Sequence, residues 1–251
     1  MPSANAKSLR TRRHPLIITI DGPAGVGKST VAKLLATQLG LQYLDTGATY
    51  RALAYTALMR GIDPSDERHL VPLARSLQLT LHWSATKGLA VMLNGRDVSR
   101  QIRTEQVTEA AAIVAHHPRV RAALVRLQRR LAGDRYLVVE GRDTGSVVFP
   151  HAPYKFFLTA NATVRATRRH MELVQLHGRT PSVTVIAKQL RERDQRDRIR
   201  KAGPLVKPPG AVAVDTSRMQ AAEVVQQMLQ HLALPARRPS RQGRTCGPDC
   251  Q

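Results

Sequence analysis

The chain has 251 residues, with 39 Lys and Arg against 18 Asp and Glu; the resulting charge of +21 favours anionic partners such as nucleotides or nucleic acid. Aromatic residues make up only 4% and form no interleaved basic and aromatic stripe that would stack single-stranded bases, which weighs against nucleic acid. No apolar run approaches the ~20 residues that span a bilayer, so the composition excludes a membrane protein and leaves one α/β core with a small insert.

Residues 1–14 carry Lys7, Arg10, Arg12 and Arg13 with no acidic residue and no hydrophobic segment of a secretory signal. They read as a basic disordered arm; a short transit peptide has the same composition. The run Leu16 to Ile20 reads as a buried strand, and Val31, Leu34, Leu35 and Leu39 mark one face of a helix closed by Gly40. Between them stand Gly22, Pro23, Ala24, Gly25, Val26, Gly27, Lys28 and Ser29, which fit the P-loop pattern at every fixed position, with Thr30 behind them. Glycines at 22, 25 and 27 permit backbone conformations that a Cβ resists, so amide N–H groups and a helix N-terminus converge on phosphate oxygens. Lys28 is the residue to reach the β- and γ-phosphates, and the Ser29 hydroxyl the one to meet the magnesium ion that travels with ATP.

Leu41 to Leu44 is a second strand, ending at Asp45, and Arg51 lies on the helix that follows. Leu79 to Val98 alternates as a small antiparallel unit with a tight Asn94-Gly95 turn. Two helical stretches, Thr104 to His116 and Arg119 to Leu131, are separated at Pro118. Tyr136 to Val139 is the third strand and runs into Glu140-Gly141-Arg142-Asp143; Lys155 to Leu158 and Ala211 to Val214 are the fourth and fifth. Strands alternating with helices imply a parallel five-stranded sheet covered by helices, with ligands at the carboxyl ends, where Gly22, Asp45, Arg142 and Asp143 fall. Residues 235–251 combine Pro, Arg, Gly and the only cysteines, Cys246 and Cys250, in a disordered basic tail, so the core folds without disulfides, as in a reducing cytoplasm.

Arg193, Asp197 and Arg200 are spaced by four and three residues, on one helical face. From spacing alone the commoner reading is an exposed helix with intrahelical ion pairs such as Asp194 to Arg198.

Six pieces in order resemble the bacterial cytidylate kinase family: I-T-I-D-G-P-A-G-V-G-K-S-T at 18–30, L-D-T-G-A-T-Y-R at 44–51, L-N-G-R-D-V-S-R-Q-I-R-T at 93–104, P-R-V-R at 118–121, E-G-R-D-T-G-S-V-V-F-P at 140–150 and R-D-Q-R-D-R-I-R at 193–200. The resemblance implies a kinase domain over residues 15–234, a monophosphate-binding insert at about 63–103 and a helical lid at about 180–205. It implies transfer of a phosphoryl group from Mg-ATP to CMP or dCMP by a cytoplasmic monomer. It assigns Thr46 and Arg51 to the acceptor nucleotide, Arg142 to its phosphate, Arg121 and Asp143 to the cytosine, and Asp197 to the ribose. Arg193 and Arg200 line the nucleotides, and Lys28, Arg142, Arg193 and Arg200 form the catalytic set. One departure stands out: Ala112 occupies the place of a family serine that bonds the base. The competing readings are another small P-loop kinase, with UMP or a non-nucleotide acceptor, and a nucleic-acid-binding NTPase.

Overall fold

The structure, a computed structural model, describes residues 16–178 and 181–232. The two terminal segments, with Cys246 and Cys250, lie outside the described residues. All five expected strands are present as β1 (Ile17–Asp21), β2 (Gln42–Asp45), β6 (Leu137–Gly141), β7 (Tyr154–Thr159) and β8 (Val212–Asp215), in a parallel sheet of order β2-β6-β1-β7-β8. The central strands are apolar along nearly their whole length because helices cover both faces of a parallel sheet. Ile18, Ile20, Val138, Val139, Phe156 and Leu158 are all essentially inaccessible.

Register decides where the chemistry lies. Asp21 pairs level with Gly141, and Asp45 with Glu140, so β1, β2 and β6 end on one line. The chain leaves β1 for β2 on one side and later returns to β7 on the other, which opens a crevice at the carboxyl edge next to β1.

Helix α1 (Lys28–Leu39) starts after left-handed Gly27 and closes on Gly40 at φ 64°, as the sequence implies. Its buried stripe is Val31, Ala32, Leu35, Ala36 and Leu39; Leu34, expected inside, is 42% exposed. Ala32 and Ala36 pull the stripe to the flank opposite Leu34, and at 100° per residue Leu34 is carried round to solvent.

The insert contains α3 (Glu67–Ser76), which the sequence pattern does not set apart, and an antiparallel sheet of β3 (Leu79–Ser84), β4 (Gly88–Leu93) and β5 (Arg96–Asp97). The β4–β5 turn is Asn94-Gly95, both with positive φ (49° and 77°), the geometry that matches strand twist in a two-residue hairpin. Its Trp83 meets Tyr43 of β2 edge-on at 5.2 Å, fastening the insert to the main sheet. Helix α2 (Thr46–Met59) follows β2 directly, α4 (Glu105–Val114) is capped by Thr104, and α5 (Pro118–Ala132) has Pro118 in its first turn, where a missing N–H costs nothing. Helices α6 (Ala162–His177) and α7 (Val183–Ile199) pack together beside the P-loop, and α8 (Ala221–His231) covers α1.

Candidate active site

The P-loop adopts the strained path its glycines permit. Gly22 has φ 148° and Gly25 φ 78°; a Cβ on Gly22 would run into the Leu158 carbonyl, and one on Gly25 would sit 3.0 Å from that of Arg165. Neighbouring side chains hold the loop's main chain. The Ala24 N–H donates to Asp194 Oδ1 at 3.1 Å, the Ala24 carbonyl accepts from Arg165 Nη1 at 3.0 Å, and the Val26 carbonyl accepts from Thr216 Oγ1 at 3.0 Å. Lys28 Nζ donates to the Pro23 carbonyl at 2.6 Å, folded back across the loop.

Residues Ala24 to Thr30 line one end of a cleft of about 710 Å³; Gly22 and Pro23 shape the loop from behind and are not on its wall. Lys28 is only 6% exposed. Burial, helped by the Arg142 guanidinium, pulls its ammonium down to a pKa of about 7. An anion in the cleft would restore the charge.

The other end of the cleft carries the remaining residues singled out from the sequence. Asp45 caps α2 through the Ala48 N–H at 3.0 Å and accepts from Arg51 Nη2 at 2.7 Å. Burial pushes the Asp45 carboxyl up, but Arg51 and the cap bond outweigh it and hold it below the usual carboxylate range. Thr46 donates its hydroxyl to the Glu140 carbonyl at 2.7 Å, and the Tyr43 hydroxyl donates to Glu140 Oε1 at 2.5 Å.

Beyond them a chain of alternating charges crosses from α5 to the end of α7. Arg121 pairs with Asp143; Arg200 stands 3.7 Å from Asp143 and 3.1 Å from Asp197; Arg142 Nε donates to Asp197 Oδ2 at 3.1 Å. Burial works against the Asp197 carboxylate, yet Arg142, Arg200 and Arg193 together keep its pKa low. Arg193, on the same wall, is brought down to about 10 by burial and then by Arg142, so it stays charged at neutral pH. The Arg121 guanidinium lies 5.2 Å above the Tyr50 ring, and burial holds the Tyr50 hydroxyl neutral, up to about 12. Arg51 Nε is a buried N–H donor with no hydrogen-bond acceptor in the protein, and Arg200 Nη2, also without a hydrogen bond, faces Asp143 Oδ1 only across 3.7 Å. Such donors point to an anionic guest.

Two expectations change. Asp194 does not pair with Arg198 on an exposed face; it is 3% exposed and paired with Arg165, because α7 packs this side onto the P-loop. Arg200 lies one residue past α7 with extended backbone (ψ 139°), so the turn after the helix, and not helical spacing alone, brings it to Asp143. Arg193 and Asp197 are helical as expected.

A family model described as Cytidylate kinase matches residues 18–234. A cytidylate kinase of Oceanobacillus iheyensis is 42% identical over 86% of this chain and 94% of its own length. One from Vibrio cholerae is 46% identical over 87% of this chain and 96% of its own, and one from Desulfitobacterium hafniense 43% over 85% and 91%. The chain belongs to the cytidylate kinase family. It is therefore a phosphotransferase.

Several residues that shape this cleft escaped sequence reasoning. Asp21 accepts from the Thr144 N–H and hydroxyl, both at 2.8 Å, and from the Gly145 N–H at 2.7 Å, so the P-loop strand holds the turn that carries Asp143. Burial pushes the Asp21 carboxyl up, and three hydrogen bonds oppose it. Glu140, Tyr43, Arg165 and Gly203 were missed as well. Asp21 and Glu140 stand inside the quoted motifs, yet only their partners give them a role. For Arg165 and Gly203 no local pattern signals the contact.

Proposed function

We propose that the cleft transfers the γ-phosphoryl group of Mg-ATP to the 5′-phosphate of CMP or dCMP, giving ADP and CDP or dCDP. The observation that carries this is the placement, in one cleft, of a P-loop with a buried lysine opposite a chain of arginines and carboxylates. Residues 22–30 would take the donor phosphates, with Lys28 reaching toward the group in transfer.

The Ser29 hydroxyl and the Glu140 carboxylate border the same cleft and offer hard oxygen donors, which suit magnesium. Among the described residues no three His, Cys, Asp or Glu side chains cluster as a metal cage, which fits an ion carried mainly by nucleotide phosphates and water. When bound, magnesium would neutralise phosphate charge.

The acceptor oxygen belongs to a phosphate that is already ionised near neutral pH, so no strong base is needed. Positioning and charge neutralisation carry the rate. Arg51 and Arg142 would grip the acceptor phosphate, with the unpartnered Arg51 Nε as one donor. Arg121 and Asp143 would read the cytosine edge, one offering donors and the other acceptors, while Thr46 orients Arg142's loop through the Glu140 carbonyl. Asp197 would bond the ribose, and Arg193 and Arg200 would stabilise charge spreading over the transferring group. Residues 180–205, α7 with the turn after it, would act as the lid, and residues 63–103 as the monophosphate-binding insert. The protein would work as a cytoplasmic monomer.

ATP consumption coupled to each nucleoside monophosphate tests this. CMP and dCMP should be turned over far faster than AMP or GMP. Equal rates with AMP would remove the base-reading role of Arg121 and Asp143, and dominance of UMP or a non-nucleotide acceptor would favour the rival kinase reading.

A further inference from the structure

We propose that Arg165 and Asp194 are a positioning pair through which α7 sets the P-loop main chain for the donor nucleotide. The inference rests on the reading of residues 22–30 as the ATP site. Ala24 stands one residue before the left-handed Gly25, and both its main-chain groups are occupied: its N–H by Asp194 Oδ1, its carbonyl by Arg165 Nη1. Asp194 and Arg165 also bond each other, so the two side chains and the Ala24 peptide close a ring.

The ring is dry. Asp194 is 3% and Arg165 8% exposed, and Ala24, Ala166, Ile186 and Leu190 form an apolar cluster beside it. Removing one charge there leaves the other buried without compensation, so the pair holds its geometry firmly. A rigid pair is what a phosphate cradle requires, because the loop's N–H groups are useful only while they converge.

Its position in α7 gives it a further consequence. Arg193, the preceding residue, and Asp197, one turn later, face the cleft, whereas Asp194 faces the P-loop. One helix therefore holds the donor loop with one face and the acceptor network with the other. A shift of α7 that repositions Arg193 and Asp197 pulls on Ala24, so the donor site senses the lid. Arg165, from α6, is the fixed end of this link.

The test uses Asp194→Asn, Arg165→Lys and the double variant. Titration calorimetry with a non-hydrolysable ATP analogue, without acceptor, is combined with KM for both substrates and amide exchange at Ala24. Asp194→Asn should weaken analogue binding and raise KM for ATP by about tenfold, with KM for CMP changed less than about twofold. Exchange at Ala24 should accelerate. The double variant should be little worse than Asp194→Asn alone, because the two residues act as one unit.

Unchanged ATP affinity, or KM values that rise together for both substrates, would overturn the proposal. Should Asp194→Asn not fold, Arg165→Lys decides by the same criteria, since lysine keeps the charge but its shorter side chain does not carry a donor to the place where Arg165 Nη1 meets both the Ala24 carbonyl and Asp194 Oδ2. A wild-type protein inactive toward every monophosphate would sink the functional reading, while analogue binding and Ala24 exchange would still judge this one.

Discussion

Gly203 offers a direct probe of Arg121 and Asp143, the pair proposed to read the base. It follows α7 at φ +58°, and a Cβ built there falls on the Asp143 carboxylate and 2.8 Å from Arg121 Nη2. Its carbonyl accepts from Arg200 Nε, so the same residue ties the turn to the charge chain. Gly203→Ala therefore carries two separable costs. A left-handed alanine costs ~1 kcal/mol relative to glycine. Forcing a methyl against a buried ion pair adds overpacking of ~1–3 kcal/mol, and the turn or the pair must move.

Gly210 is the control, because it has φ +72° and a methyl placed on it would meet nothing within 4 Å. Gly210→Ala should lose only ~1 kcal/mol, against ~2–4 kcal/mol for Gly203→Ala. Urea unfolding of both variants gives the difference, and steady-state kinetics gives its location. Since ~1.4 kcal/mol is a factor of ten, KM for CMP should rise by roughly tenfold or more in Gly203→Ala, with KM for ATP little changed. If Gly203→Ala proves no more damaging than Gly210→Ala on either measure, residues 200–203 do not hold the Arg121–Asp143 pair in place.

Lys28 supplies a pH prediction. Its pKa, about 7 in the free protein against 10.5 ordinarily, leaves it largely neutral at pH ~8.5, and donor phosphates should recharge it. ATP binding at that pH should take up a proton, visible as a dependence of calorimetric heat on buffer ionisation enthalpy that fades below about pH 6; no buffer dependence at the higher pH would refute it. The same depression means the unfolded state binds more protons between the two values, so this residue's contribution to stability should rise with pH through the window from about 7 to 10.5, and Lys28→Ala should abolish the rise in urea titrations. Ala112 lines the cleft one turn after Thr108, whose hydroxyl is already donated to the Thr104 carbonyl at 2.9 Å. Ala112→Ser should lower KM for CMP by roughly five- to tenfold, about one hydrogen bond's worth, and an unchanged KM with an unchanged CMP-to-UMP preference would count against it. Deleting residues 1–14 and 235–251 together should leave kinase activity intact, and a substantial loss would give these segments a part in the site or its assembly.

What the sequence determined by itself was the local backbone and its chemistry. Glycine spacing at 22–27, the Asn94-Gly95 turn and the break at Pro118 act through the φ angles and N–H groups of the residues themselves, so they are legible without partners. Apolar runs located all five strands because a sheet covered on both faces leaves few polar positions in them. Only the tertiary structure decided the rest. The order β2-β6-β1-β7-β8 levels Asp45 with Glu140 and Asp21 with Gly141, and that register is set by long-range pairing. The direction of Leu34, the pairing of Asp194 with Arg165, and the reach of Arg200 to Asp143 depend on what packs against each residue. A helix offers a charged side chain equally to its own neighbours and to another element. Desolvation by that other element is what makes the distant partner win, and no spacing within the helix records it.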